Sequence, residues 1–244
     1  MNIKSEIKPL CWVLVLFLLV PVCALLIGWQ WQETTLNPLS SILFYFTETS
    51  GLPWAVLSCV IFSLIFVVSL KIKNFMQMVK IVALFVFALG VGQAVKSTIK
   101  SVTADPRPYV MWIEKNYHID STEFYAHSRA ERQKLVENVL ANSNVIPLWL
   151  NQHWQNETGY TFPSGHTLFA TTWAFLALLL IGFKRNKFVT TAFIVWAFIV
   201  GVSRLALGMH FPVDLIVATI LSSMIAVLCY WLAIKFRIIN IGSV

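Results

Sequence analysis

Charge is what this chain has least of. Only 12% of its 244 residues are Asp, Glu, Lys or Arg, against 58% hydrophobic residues, and its mean hydropathy is +0.74. A soluble domain carries about a quarter charged residues, so the composition is that of a membrane protein. Acids are the scarcer sign, eleven in all. They are scattered, and no group of them resembles the hard oxygen cage of a magnesium site. Cysteine is scarce too. Cys11, Cys23, Cys59 and Cys229 lie in apolar runs, and none is spaced with another Cys or a His as a metal-ligand set would be. They are expected to be buried small hydrophobes. No A-x-A-like site follows the first apolar run, and Cys23 follows Val-Pro-Val, so the run reads as a retained span and not a cleaved signal. Repeats and low-complexity tracts are absent.

The net charge of +7 is not massed in one patch. Basic residues fall in short clusters between apolar runs, which argues for a membrane topology signal and against nucleic-acid binding. Six runs approach the about 20 helical residues that a bilayer crossing needs: 10–28, 53–70, 75–99, 165–183, 188–205 and 213–234. The expected fold class is therefore an all-α membrane protein of six transmembrane helices. Two basic hairpins, Lys71–Asn74 and Lys184–Lys187, separate the second from the third run and the fourth from the fifth. With a cytoplasmic N-terminus, one face collects Lys4, Lys8, Lys71, Lys73, Lys80, Lys184, Arg185, Lys187, Lys235 and Arg237 with Glu6 as its only acid. Basic residues in short loops favour the cytoplasm, so both termini are expected there. Trp29 and Trp31 then fall at the outer interface.

The chain reads as one membrane domain, 1–244, with a small helical periplasmic cap inserted at 101–162 between spans three and four. In that cap Asp120 with Glu123 can start a helix running to about Leu140, and Pro147 to Asn156 forms a second. His118, His127 and His153 are expected on the cap's surface.

Three segments carry chemistry, and all sit at the outer ends of spans. In the third, His210 and Asp214 are four residues apart, with Pro212 suited to a first helical turn. A carboxylate on one imidazole nitrogen fixes the tautomer and leaves a lone pair on the other, as in a nucleophilic or general-base histidine. Taken alone, the pair is equally a helix-start histidine satisfied by a local acid. Arg204 and Lys100, each at a span end, would alone be snorkelling cations. Ionisable groups near membrane depth are nonetheless costly and face the bundle interior. Arg107 is stiffened between Pro106 and Pro108. Pro163-Ser164-Gly165-His166 opens the fourth span: Ser164 can cap the helix, Gly165 allows close approach, and free N–H groups there bind anions. As a tetrapeptide this is an ordinary turn. Three cations, two histidines, one acid and one anion-binding turn at a single membrane face together suit phosphoryl transfer. Lys96, one turn before Lys100, is read as support or as a snorkelling residue, and not as a ligand.

The combination resembles the type 2 phosphatidic acid phosphatase superfamily, whose signature is K-x6-RP, PSGH and SR-x5-H-x3-D. Lys100, Arg107 and Pro108, then Pro163, Ser164, Gly165 and His166, then Ser203, Arg204, His210 and Asp214 meet every position. The segments VGQAVKSTIKS, EFYAHSRAERQKLV and HWQNETGYTFPSGH extend the likeness through the cap to bacterial lipid-phosphate members. The resemblance implies a hydrolase of the bacterial inner membrane with a periplasmic site and no metal cofactor. Its substrates would be phosphatidylglycerophosphate, phosphatidic acid, diacylglycerol pyrophosphate, lysophosphatidic acid and undecaprenyl pyrophosphate, entering from the bilayer. A dedicated undecaprenyl-pyrophosphate phosphatase is the alternative. Neither nucleic acid nor an obligate protein partner is implied. In this reading Lys100, Arg107, Ser164, Gly165 and Arg204 hold the phosphoryl group, His210 attacks with Asp214 behind it, and His166 protonates the leaving oxygen. An anion transporter would show an inverted repeat or broken helices, which the chain lacks. A vanadate-dependent haloperoxidase would be soluble, and a sugar-phosphate phosphatase would need watery access.

Overall fold

A computed structural model describes residues 3–239. The side chains of Lys4 and Glu6, which entered the charge count, and the tail after Ile239 lie outside the described part. Among the described residues the regular structure is entirely helical. In chain order it comprises α1 (Ile3–Leu26), α2 (Pro38–Glu48), α3 (Trp54–Ser69), α4 (Phe75–Thr103), α5 (Pro108–Tyr117), α6 (Ser121–Ala126), α7 (Arg129–Leu140), α8 (Leu148–Asn156), α9 (Gly165–Leu176), α10 (Gly182–Ala206) and α11 (Pro212–Lys235).

Four helical stretches are long and apolar enough to cross a membrane: Lys8–Leu26, Phe75–Tyr117, Gly165–Ala206 and Pro212–Lys235. α3 is as apolar but has only 16 residues. Two of the four stretches are broken. Phe75–Tyr117 turns at Ala104, which is left-handed at φ 49°. Gly165–Ala206 breaks at Gly182 (φ +71°) and again at Asn186 (φ −151°, ψ 90°). α9 packs along α10, as α9 does along α11, so this stretch folds back on itself. Lys71, left-handed at φ 53°, closes the other basic hairpin.

Helix starts follow local chemistry. Asn37 and Ser40 form a reciprocal capping box ahead of Pro38, which starts α2. The expected helix from Asp120 to Leu140 is instead two. Asp120 caps only α6, and Ser128 with Glu131 makes a second capping box that starts α7. A fresh set of N–H groups satisfied at Ser128 is the physical reason for the break.

The bundle's middle is a cluster of interlocked aromatic rings. Phe66, Phe85, Trp173 and Phe193, all buried, meet at centroid distances of 4.8–6.5 Å. A second core lies under the polar loops, built from Trp31, Tyr109, Phe124, Trp154, Leu207 and Met209. Trp31 belongs to this core, its ring buried among these residues. Its ring stands 2.8 Å from where a Cβ on Gly208 would be, and Gly208 itself sits at φ +69°. Only glycine suits that position. The cysteines are corrected as well: only Cys229 is buried, Cys59 is half-buried, and Cys11 and Cys23 are exposed. In an all-apolar helix the sequence does not mark which side meets protein and which meets lipid.

Candidate active site

The C-terminal ends of α4 and α10 and the N-terminal ends of α9 and α11 converge on one end of the bundle. Together with the start of α5, where Arg107 is the N-cap, and the loop before α11, which holds His210, they bring together all eight residues expected there. The tight loop from Leu207 to Phe211 sets the geometry. Trp154 Nε1 donates to the Leu207 carbonyl at 3.0 Å, the Tyr109 N–H donates to that of Gly208 at 3.0 Å, and the Trp31 indole donates to that of Ala206 at 2.9 Å. The second core thus grips the loop that carries His210.

His210 and Asp214 are each 1% exposed. His210 Nδ1 lies 3.0 Å from Asp214 Oδ2, and the Phe211 N–H donates to the same oxygen at 3.0 Å. The Thr161 hydroxyl donates to it as well and lies 3.0 Å from Nδ1. Burial, then the charges of Arg107, Arg204 and Lys100, push the imidazole well below its ordinary 6.5. At neutral pH His210 is uncharged. With its Nδ1 proton given to Asp214, the lone pair is on Nε2, which faces Arg107 Nη1 at 3.4 Å.

Arg107 is held on three sides. Nε donates to the Gly159 carbonyl at 2.7 Å, Nη1 to that of Met209 at 3.2 Å, and Nη2 pairs with Glu157 at 3.2 Å. Arg204 is fully buried. Its Nη1 donates to the Thr47 hydroxyl at 2.7 Å and its Nη2 to Glu157 Oε2 at 2.8 Å. His166 Nε2 is 3.2 Å from Glu157 Oε1, yet it is not aligned for a hydrogen bond with any group in the structure. Lys100 Nζ donates to the carbonyls of Tyr160 and Thr161, the latter at 2.8 Å. Ser164 caps α9 through the Thr167 N–H, and its own N–H donates to the Asp214 carbonyl at 3.3 Å. Gly165 lies close under a neighbour: a Cβ there would come within 2.9 Å of the Lys96 side chain, which would have to shift. The Lys96 side chain packs against the PSGH turn, and its Nζ donates to Gln93 Oε1 at 2.7 Å.

The residue at the centre was not among those expected. Glu157 follows α8 and joins Arg107, Arg204 and His166 through one carboxylate. Burial alone would raise its pKa, but Arg204, His166, Arg107 and His153 outweigh burial and hold the carboxyl well below 4.5. It is an anion seated where cations converge. Its only sequence signal was proximity to PSGH. Thr161 was missed for the same reason: neither fits a spacing rule. His153 corrects an expectation outright. It is 3% exposed and faces the site, while His118 is exposed and His127 half-buried. Its helix, α8, packs into the second core instead of lying over it. Gly51 was missed as well; a Cβ there would reach within 3.0 Å of His166 Nε2.

Phosphatidylglycerophosphatase B of Escherichia coli (strain K12) is 43% identical over 218 residues, covering 89% of this chain and 85% of that protein. Phosphatidylglycerophosphatase B of Haemophilus influenzae is 35% identical over 216 residues, covering 86% and 89%. The Bacitracin transport permease protein BcrC of Bacillus licheniformis is 31% identical over 91 residues, 37% of this chain and 42% of that protein. The PAP2 superfamily model matches residues 81–238, a range that contains all three motif segments and Glu157, and the chain belongs to the PAP2 superfamily.

Proposed function

We propose that this protein is a membrane lipid phosphatase that hydrolyses phosphatidylglycerophosphate to phosphatidylglycerol and phosphate. It acts on undecaprenyl pyrophosphate, phosphatidic acid and diacylglycerol pyrophosphate by the same chemistry. One observation carries the reading: an anion already sits between Arg107 and Arg204, with the Nε2 atoms of His166 and His210 close by. A phosphoryl group makes the same contacts once the Glu157 carboxylate yields its place. Lys100, Arg107, Arg204 and the N–H groups at Gly165 and His166 then bind its oxygens, and such fixed charge is the main stabilisation in phosphoryl transfer. His210 Nε2 attacks phosphorus in line and the P–O bond to the lipid breaks. His166 gives a proton to the departing oxygen. Water then cleaves the phosphohistidine, with His166 taking a proton from it. No metal takes part.

The substrate enters sideways. In support, a groove of about 180 Å³ between α4 and α9 runs along Ala88, Gly92, Lys96, Leu168 and Phe169 to Gly165. The chain crosses the inner membrane six times. α3 is one crossing, and the fold-back at Gly182–Asn186 turns Gly165–Ala206 into two. The site faces the periplasm, under a cap of α5 to α8, and both termini are cytoplasmic. The transport name of the third relative rests on 37% of this chain and does not alter the reading.

The test is phosphate release by the purified protein in detergent from a panel of these lipids, with EDTA and with orthovanadate. Release should survive EDTA and be blocked by vanadate. No release from any lipid phosphate, or loss with EDTA that magnesium restores, would overturn the reading. Turnover confined to undecaprenyl pyrophosphate would move it to carrier recycling.

A further inference from the structure

Besides the His166–Glu157 contact, two carboxylate–histidine pairs flank the site, and the mechanism uses one. The second is Glu48 with His153. His153 Nδ1 lies 2.9 Å from Glu48 Oε1, and its Nε2 lies 3.2 Å from Arg204 Nη1. Guanidinium nitrogens only donate, so Nε2 must accept and the ring proton must be on Nδ1. Glu48, a carboxylate, accepts that proton. Two hydrogen bonds from opposite sides thus demand one and the same tautomer. The pattern repeats that of Asp214 and His210, where a carboxylate holds Nδ1 and Nε2 faces an arginine.

The consequence falls on Arg204. Its Nη1 is used twice by the protein, on His153 and on the Thr47 hydroxyl at 2.7 Å. Thr47 and Glu48 are neighbours in the last turn of α2, so one helix end supplies both anchors. Elsewhere on the guanidinium, Nε is buried with no partner and Nη2 meets only Glu157. Nε–H and Nη2–H lie on one edge, the fork that takes two oxygens of a phosphate. Anchoring Nη1 therefore turns this edge toward the seat of the phosphoryl group. The pair's setting is fixed as well. The Phe44 ring meets the His153 ring edge-on at 5.5 Å, and the Trp196 indole ties Thr49 to α10 at 2.9 Å.

We propose that Glu48 and His153 are positioning residues that hold the Arg204 guanidinium with its Nε/Nη2 edge toward the phosphoryl oxygens. They touch neither substrate nor reacting atoms. This rests on the reading that Arg204 holds phosphate. It also gives α2, a short amphipathic helix outside the family match, a role in the chemistry.

The test uses the full-length protein in detergent and orthovanadate as probe, with affinity read by calorimetric titration so that turnover is not needed. His153→Ala should weaken vanadate binding about 10- to 100-fold, the range that loss of an outer-shell orienting partner produces. His153→Gln, whose amide oxygen can accept from Nη1, should recover most of that loss. Glu48→Ala should weaken binding less, and the double variant no more than His153→Ala alone, because the two act in series. A merely structural pair would lower the melting temperature and leave vanadate affinity unchanged in folded, monodisperse protein, and that result overturns the proposal. So would strictly additive losses. Should His153→Ala fail to fold, Glu48→Ala and His153→Gln carry the test by the same criterion. Arg204→Ala separates the two readings: vanadate affinity unchanged in that variant refutes Arg204 as a phosphate ligand, whereas a loss there with none in the pair refutes only the pair.

Discussion

Around the middle of the bundle, Phe66, Phe85, Trp173 and Phe193 close on one another from four different helices, with no charged group in the cluster. At the motif-bearing end, Arg107, Arg204, His153, His210 and Asp214 are each no more than 5% exposed, as deep as those rings. The two regions are equally buried and differently held. The aromatic cluster depends on many weak dispersion contacts, each worth a fraction of a kcal/mol, so damage there is graded. The charged end depends on a few strong pairs in which every partner is needed, because an unpaired buried charge costs several kcal/mol. A site that must bind a phosphoryl dianion has to collect cations before the substrate arrives. This one keeps them together with an anion of its own, Glu157.

The largest expected break in the comparison is chemical. His210→Ala should abolish turnover and leave no trapped phosphoenzyme, while changing melting temperature little. Asp214→Asn should lower kcat by about 10⁴-fold, since an amide permits the wrong imidazole tautomer. Rapid-quench trapping on phosphatidylglycerophosphate checks both, and phosphoenzyme formed on His166 would reverse the assigned roles.

Next is stability at the charged end. Glu157→Ala leaves Arg107 and Arg204 facing each other and should cost about 3–5 kcal/mol. Orthovanadate should restore part of that loss by refilling the seat. The pH dependence follows from the sign of the shift. The carboxyl is held below 4.5, so the stability it contributes is fully present above 4.5 and is lost as pH falls through its depressed value. His210, held below 6.5, contributes stability that fades as pH falls from 6.5. Wild-type melting curves between pH 8 and pH 3 should therefore decline in two stages. Glu157→Ala should keep the first stage and lose the second, and an unchanged second stage would show that Glu157 is not the group responsible.

In the aromatic cluster, Trp173→Ala should cost about 3 kcal/mol, the low end for truncating a buried aromatic residue. A membrane protein lacks the water-transfer part of that cost between helices. The loss should be the same at pH 5 and pH 8 and indifferent to vanadate. A pH-dependent loss would mean that the two regions are coupled after all.

The smallest effect sharpens the same contrast. The Thr171 and Ser222 hydroxyls lie 2.6 Å apart between α9 and α11. Ser222→Ala should cost only about 0.6 kcal/mol, typical for a neutral hydrogen bond between membrane helices. A loss above about 2 kcal/mol would place this bond in the class of the charged pairs.

Much of this was legible before folding was considered. Apolar run lengths located the long helices to within a few residues, because the absence of backbone partners in lipid forces helix on any such run. The motif residues were legible because each lies at a helix end, where capping and proline chemistry leave local marks. The break between α6 and α7 was legible in principle from Ser128 and Glu131, but it lay inside a longer stretch that also reads as helix. α2 was passed over because 29–52 carries no strong pattern. The expected burial of Cys11 and Cys23 failed because a helix that is apolar all round does not say which face meets lipid.

The sequence by itself determined the class of the protein, its long apolar helices and the set of cations and histidines at one end. Those properties depend on composition and on neighbours within a few residues along the chain. The tertiary structure alone decided what holds the set together: Glu157 seated among Arg107, Arg204 and His166, Thr161 on the His210–Asp214 pair, and His153 turned inward onto Glu48. Apart from Glu157 and His166, which are neighbours along the chain, each contact joins residues dozens to more than a hundred positions apart, and a carboxylate or imidazole carries no sign of its partner in its own local sequence. Their roles are set by distance and burial, which exist only once the helices have packed.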